Sequence, residues 1–311
     1  MEHGSFVSLA EGPSMTAALP DWNASIRAEH EATRSVESIV LALDGTEHSR
    51  PAIPVARTLS ELYQATLHVT YVGEGGGALD LKDTARRLGL SAEEAHGVFF
   101  EQGKAGAATR LTELARQLPH ALIVMSTETG PATDTGHFGA VTESVFASRP
   151  QRTVLLSPHR GNKPWRPRRI LLAHDGTPAC HAATEAAAEL AHRAGADVIA
   201  LHVAARGEEP SGEPGSIPAP LYVDQPQHEW PAWAEEFMNR IIAAGAPPSS
   251  VHFELAVTGG QAGSEVAKVA QDRDVDLVVM AWHGHWDRES CATRVVVRNS
   301  DCPVLLVYSA D

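Results

Sequence analysis

Apolar residues occur in two patterns along this chain: short unbroken runs, and longer stretches in which they recur every three or four positions. The runs are Ser38–Leu43, Ala65–Val72, Val98–Glu101, Ala121–Met125 and Thr153–Leu156, then Ile170–His174, Val198–Val203, Val251–Ala256, Asp276–Ala281 and Pro303–Val307. Most lack polar alternation, which suits strands of a parallel sheet covered on both faces. The recurring stretches predict helices between them. One begins near Glu47 and carries Ala52, Ile53, Val55, Ala56, Leu59, Leu62 and Tyr63 on one side. Pro51 suits its first turn, whereas Pro54 lies deeper and is expected to distort it. Further helices are predicted over 79–88, from Ser91, over 104–118, from Gly139, and over 179–194, 232–244, 261–271 and 290–298. Strands alternating with helices specify a mainly parallel sheet with helices on both faces.

The scheme is written twice. Ile39-Val40-Leu41-Ala42-Leu43-Asp44-Gly45-Thr46 returns as Ile170-Leu171-Leu172-Ala173-His174-Asp175-Gly176-Thr177, an offset of 131 positions. A repeat of that length means two tandem doubly wound α/β domains rather than a solenoid. The expected limits are a mobile polar tail over 1–37, a first domain over 38–160, a linker over 161–168 and a second domain over 169–311. The second domain carries a proline-rich insertion over 204–231, read as a loop or lid; Tyr222, Trp230 and Trp233 either fold it over the second crevice or, the favoured reading, belong to the core of the helix that follows.

Charge narrows the partners. With 25 Lys and Arg against 39 Asp and Glu, the net charge of −14 repels nucleic acid and anionic membrane. The basic run Lys163–Arg169 falls between the repeats and reads as linker before binding patch. Cys180, Cys291 and Cys302 show no metal spacing and build no disulfide framework, which fits a reducing cytoplasm. No apolar run approaches the ~20 residues of a membrane helix. His283 and His285 form the closest histidine pair, without a third metal ligand nearby.

In an open parallel sheet, ligands bind beyond the carboxyl ends of the strands where the strand order reverses. That places Asp44, Gly45 and Thr46 beside the loop Ser126–Gly139, with Val72 closing one side. A carboxylate there accepts ribose hydroxyls or holds a metal-bound phosphate, and glycine admits a ligand close to the backbone. Asp-Gly-Thr is equally a plain turn and helix cap. In the loop, Gly130, Gly136 and Gly139 can turn backbone N–H groups toward an anion, and Ser126 and Thr127 add hydroxyls. The loop has no Lys or Arg, so dipoles and Mg²⁺ would have to meet a phosphate's charge. No dinucleotide fingerprint or phosphate-binding P-loop occurs, and no nucleophile stands beside a base. A dedicated catalyst is therefore not indicated.

These residues together resemble the universal stress protein family: the Asp44 segment and its Asp175 echo, Leu201-His202-Val203, Asp276-Leu-Val-Val-Met280, Cys302-Pro303-Val304-Leu-Leu-Val307, and Gly139-Ala-Val-Thr-Glu-Ser-Val145. The resemblance covers about 38–156 and 169–308 and implies a five-stranded Rossmann-like sheet of order 3-2-1-4-5 in each half. It also implies pairing of the two domains through their fifth strands, and it allows a homodimer of the tandem unit. Some members bind ATP through a glycine-spaced loop, here with Mg²⁺. Carried over, that site comprises Asp44, Val72, Gly103, Ser126, Thr127, Gly130 and the Gly139-Ala140 pair in the first domain. In the second it comprises Asp175, Val203 and Gly284, with Arg288 and Arg294 as positive charge. Ser126 and Thr129 replace the two leading glycines of the first loop. In the second, Ala281 replaces one and the loop is about four residues short.

The first domain is thus the expected nucleotide site and the second the degenerate one. The expected role is a cytoplasmic stress-response factor that signals by conformation. Hydrolysis of ATP would be slow, because no general base or arginine finger can be named. A ligand-free scaffold is the alternative, and an adenylate-forming hydrolase or ligase the least supported.

Overall fold

The computed structural model describes residues 35–44, 47–73, 89–90, 99–102, 104–127, 138, 140–150, 152–156, 164–204, 229–245, 247–284 and 292–309. The tail before Ser35, the expected helices at 79–88 and from Ser91, and residues 205–228 of the insertion lie outside them. The strands of the first half are β1 (Ser38–Leu43), β2 (Thr66–Gly73), β3 (Phe99–Gln102), β4 (Ala121–Ser126) and β5 (Arg152–Leu156). Its helices among the described residues are α1 (Ala52–Tyr63), α2 (Lys104–Gln117) and α3 (Ala140–Ala147). The second half contributes β6 (Arg169–Ala173), β7 (Asp197–Ala204), β8 (Phe253–Gly259), β9 (Leu277–Trp282) and β10 (Val304–Tyr308). Its helices are α4 (His181–Ala194), α5 (Glu229–Gly245), α6 (Ala262–Asp272) and α7 (Ala292–Asn299).

The ten described strands form one sheet of order β3-β2-β1-β4-β5-β10-β9-β6-β7-β8. Read from each outer edge, both halves have the order 3-2-1-4-5. Pairing within each half is parallel. At the seam β5 and β10 run antiparallel, with Val304 opposite Leu155 and Leu305 opposite Val154.

Successive β1 side chains alternate between two apolar layers. Ile39, Leu41 and Leu43 join α1, α4 and α5, which supply Ile53, Leu59, Leu190 and Phe237. Val40 joins the opposite layer with Leu111, Phe138, Phe146, Val266 and Val296. Each layer draws residues from both halves, so the halves share their cores across the seam. Trp233 is buried in the layer beneath α5, as expected.

Two local expectations are corrected. Helix α1 starts at Ala52, not near Glu47, with Pro51 as its N-cap. Pro54 therefore falls in the first turn, where its missing N–H removes no intrahelical bond, and the helix runs on to Tyr63. The eighth strand lies two to three residues later than the apolar run suggests, at Phe253–Gly259.

The basic stretch before β6 is pinned. Trp165 is buried, and its indole Nε1–H donates to the Asp276 carbonyl at 2.9 Å. Thr58 Oγ1 of the first half donates to the Trp165 carbonyl at 2.8 Å. The Arg168 and Arg169 amides donate to Asp276 Oδ2 at 2.8 and 3.0 Å. Trp165→Ala opens a cavity between the halves and leaves the half-buried Asp276 carbonyl without its indole donor, and it should lower unfolding stability by about 3–4 kcal/mol in a denaturant titration. A loss below about 1 kcal/mol would mean that the stretch is a passive tether.

Candidate functional site

The chain turns to opposite faces of the sheet after neighbouring strands β1 and β4: α1 packs on one side and α3 on the other. That divergence opens the switch-point crevice. Leu41 faces Val124 and Leu43 faces Tyr71. Extending these registers brings Asp44 level with Thr127 on one side and Val72 on the other. Asp44 is exposed, Thr127 is buried, and Ala140 opens α3 at the surface. The Ser126 hydroxyl, at the end of β4, is buried and has no hydrogen-bond partner among the described residues. Gly45, Thr46, Gly103, Gly130, Gly136 and Gly139 lie outside the described residues.

The same construction in the second half has different contents. Ala173 faces Leu201 and Met280, so Asp175 comes level with Val203 and Trp282. A tryptophan thus stands where the first half has Thr127. Trp282 is buried and meets the rings of Phe146 and Tyr308 edge-on, at 5.0 and 5.4 Å between centres. A cavity of about 270 Å³ lies between the strand ends and helices α6 and α7, bordered by Asp175, Val203, Met280 and Trp282. Gly284 follows with φ +77°, and a Cβ there would come within 3.0 Å of Arg149 Nε of the first half.

At Asp175 the turn is explicit. Oδ1 accepts the Thr177 amide at 2.8 Å, the Thr177 hydroxyl at 2.7 Å and the Cys180 thiol at 3.3 Å. Burial alone would raise this carboxyl; Thr177, Cys180 and His174 outweigh it and hold the pKa below the usual range. Burial and the neighbouring carboxylate push the Cys180 thiol far up, which keeps it unreactive. His174, Asp175 and Cys180 place one ligand atom each within 4.8 Å of one another. Their mixed nitrogen, oxygen and sulfur donors suit a softer ion than Mg²⁺.

His174 takes the position of Leu43 in the first copy. Its Nδ1 accepts the Gly176 amide at 3.0 Å. His202 donates from Nδ1 to the His174 carbonyl at 3.0 Å. Both rings pack against Phe237 of α5, at 5.2 and 5.3 Å between centres. Burial holds His174 down to about 4, with His202 adding to the effect and Asp175 opposing it. Burial likewise lowers His202. The Leu-to-His difference between the repeats was the sequence signal for this pair.

Arg294 requires a correction. Its place near the second loop suggests a charge for that crevice, yet its guanidinium turns to the first half and donates to Glu143 from Nη1 at 3.1 Å and Nη2 at 2.9 Å. The helical phase of α7 puts Thr293 on the crevice and Arg294 on the seam.

Fold and strand ends define a duplicated, doubly wound α/β protein with a candidate ligand site at each switch point. Residues 167–308 match the model of the Universal stress protein family. The second half of the chain is thus similar to that family, and the first half repeats the same strand order. No curated protein matches the chain. Among solved structures, a functionally unknown protein from Pseudomonas aeruginosa PAO1 is similar over 90% of this chain and 95% of its own, with 17% identity and a TM-score of 0.59. A universal stress protein from Archaeoglobus fulgidus DSM 4304 is similar over 90% of this chain and 98% of its own, with 13% identity and a TM-score of 0.54. No helix among the described residues is long and apolar enough to cross a membrane.

Proposed function

We propose that the first domain binds an adenine nucleotide, ATP with Mg²⁺ being the expected form, and that the protein acts in a stress response through conformational signalling rather than turnover. The alignment of Asp44, Val72 and Thr127 across three adjacent strand ends carries this reading. Asp44 supplies a carboxylate for a ribose or a hydrated Mg²⁺, which takes oxygen ligands and one or two carboxylates. The buried Ser126 hydroxyl supports it, because a polar group without a partner among the described residues gains from a ligand that donates to or accepts from it. Ala140 and the preceding glycine-bearing loop would meet the phosphates with backbone N–H groups.

The contrast with the second half favours this assignment. There Trp282 stands level with Asp175 where the first half has a hydroxyl residue, and Arg294 is committed to Glu143. The antiparallel contact between β5 and β10 fits intramolecular pairing of the two domains, with a homodimer of the tandem unit as a further assembly.

Titration calorimetry of the full chain with ATP, with and without Mg²⁺, tests the reading. Saturable binding near one site per chain is expected. Asp44→Ala should weaken it at least about tenfold, the scale of a lost charge-assisted hydrogen bond, whereas Asp175→Ala should leave it within about twofold. No binding at millimolar nucleotide, or an Asp44→Ala chain that titrates like wild type, would sink the assignment. The first of these outcomes would favour the ligand-free scaffold, the reading suggested by the irregular glycine spacing.

A further inference from the structure

The end of the first-domain crevice is held by a residue of the second domain. Arg294 of α7 is 4% exposed and engages both carboxylate oxygens of Glu143 in α3, Nη1 to Oε2 at 3.1 Å and Nη2 to Oε1 at 2.9 Å. Glu143 Oε1 also accepts the Phe138 backbone amide at 3.2 Å, just before α3 begins. The Phe138 side chain is fully buried, and the Arg294 guanidinium lies over its ring at 4.8 Å from the centre. Arg298, one helical turn further along α7, approaches the same ring at 5.7 Å. A single guanidinium thus grips both the carboxylate in the first turn of α3 and the aromatic residue leading into it.

The geometry of this grip is restrictive. A planar guanidinium bound two-fold to a carboxylate tolerates little sliding or rotation, unlike an apolar contact of the same area. Taking the pair out of water contributes little net stability, so its more telling effect is to select one arrangement of α3 against α7. Helix α7 also borders the other crevice through Ala292 and Thr293, adjacent to Arg294 in the chain. One short helix therefore touches the second-domain cavity and holds the entrance of α3 in the first.

We propose that Arg294 is a positioning residue for the first-domain site: the second domain fixes the start of α3 through Glu143 and Phe138, and the first-domain crevice takes its ligand-ready geometry only with the second domain in place. The inference rests on the nucleotide reading above for its functional meaning, but not for its geometry. Its consequence is that the second half, with the poorer crevice of its own, acts on the site of the first. A ligand that shifts α7 from the second cavity would change affinity at the first, and by linkage the reverse would hold.

Hydrogen exchange on the full chain, without nucleotide, provides the geometric test. In Arg294→Gln, the Phe138 amide and the α3 amides should exchange about tenfold faster or more, while amides of β6 and β7 keep wild-type protection. Arg294→Lys retains the charge without the fork and should give a smaller rise at the same amides, about threefold. If Arg294→Gln does not fold, Arg294→Lys decides alone. Unchanged protection at Phe138 and α3, or an equal rise throughout the chain, overturns the proposal.

ATP titration of the same chains separates the two readings. About tenfold weaker binding in Arg294→Gln, partly restored in Arg294→Lys, is the result expected if both hold. Wild-type affinity in Arg294→Gln, despite faster exchange, overturns the functional part. A wild-type chain that binds no ATP but shows the local exchange pattern in Arg294→Gln would remove the nucleotide assignment and leave the cross-domain positioning standing.

Discussion

Glu143→Leu should destabilise the protein by about 3 kcal/mol, and the double variant Glu143→Leu/Arg294→Leu should recover most of that loss. The asymmetry follows from burial. The Arg294 side chain is 5% exposed and that of Glu143 28%. Removing the carboxylate alone takes from a buried guanidinium the acceptor that holds both of its terminal nitrogens, whereas removing both replaces an ion pair with apolar contact. The partial wetting of Glu143 keeps the expected cost at the lower end of the range for broken buried pairs. Urea unfolding at fixed ionic strength, with both single variants and the double, gives the coupling directly. A double variant less stable than either single one would show that the pair itself contributes net stability, and would remove the view that it chiefly selects geometry.

Acidification should lower stability by about 3 kcal/mol through His174 alone between roughly pH 6.5 and 4. The sign follows from the folded-state value lying below the unfolded one. As pH falls through 6.5 the unfolded chain takes up a proton that the folded chain refuses until about pH 4, so protons pull toward unfolding across that window. His202, also lowered by burial, adds in the same direction. Asp175 acts further down, because its depressed carboxyl contributes stability that is lost only when pH falls below the ordinary aspartate range. His174→Leu restores the residue that the first repeat carries at Leu43 and should flatten the profile between pH 4 and 6.5. Its cost is the Gly176 amide left without its acceptor, about 1 kcal/mol at neutral pH. Denaturant midpoints across that range would show it; an unflattened slope in the variant would place the acid sensitivity elsewhere.

Much of the fold was legible because burial on both faces leaves a simple mark. Ser38–Leu43 and Leu277–Trp282 are apolar on both sides of the strand, which only a covered parallel sheet requires. Helix limits were less legible. Pro54 looks disruptive until the N-terminus of α1 is known to sit at Ala52, after which it falls among residues whose amides have no intrahelical acceptor. Trp165 was hidden by its neighbours: a run of Lys, Arg and Pro reads as a solvated tether, and nothing local reveals the Thr58 and Asp276 groups that hold it.

The candidate site divides along the same line. Asp44, Val72 and Thr127 could be named from the sequence because each ends or follows a strand, and strand ends converge wherever a doubly wound sheet changes direction. That Asp175 hydrogen-bonds to its own turn was one of the two readings Asp-Gly-Thr allowed, turn and cap or ligand contact, and only the structure shows the bonds to Thr177. Trp282 and His174 were visible as departures from the first repeat, but not the rings they would meet.

By itself, then, the sequence determined two doubly wound α/β halves, their strand order through a family resemblance, and a carboxylate at each switch point. These follow from periodicity and repetition, which are properties of neighbouring residues. Only the tertiary structure decided that the halves share both core layers, that Trp165 pins the stretch before β6, and that Arg294 serves Glu143 rather than its own crevice. Glu143 and Arg294 are 151 positions apart. A contact over that separation depends on how α3 and α7 meet across β5 and β10, and no local pattern encodes the phase of one helix against another.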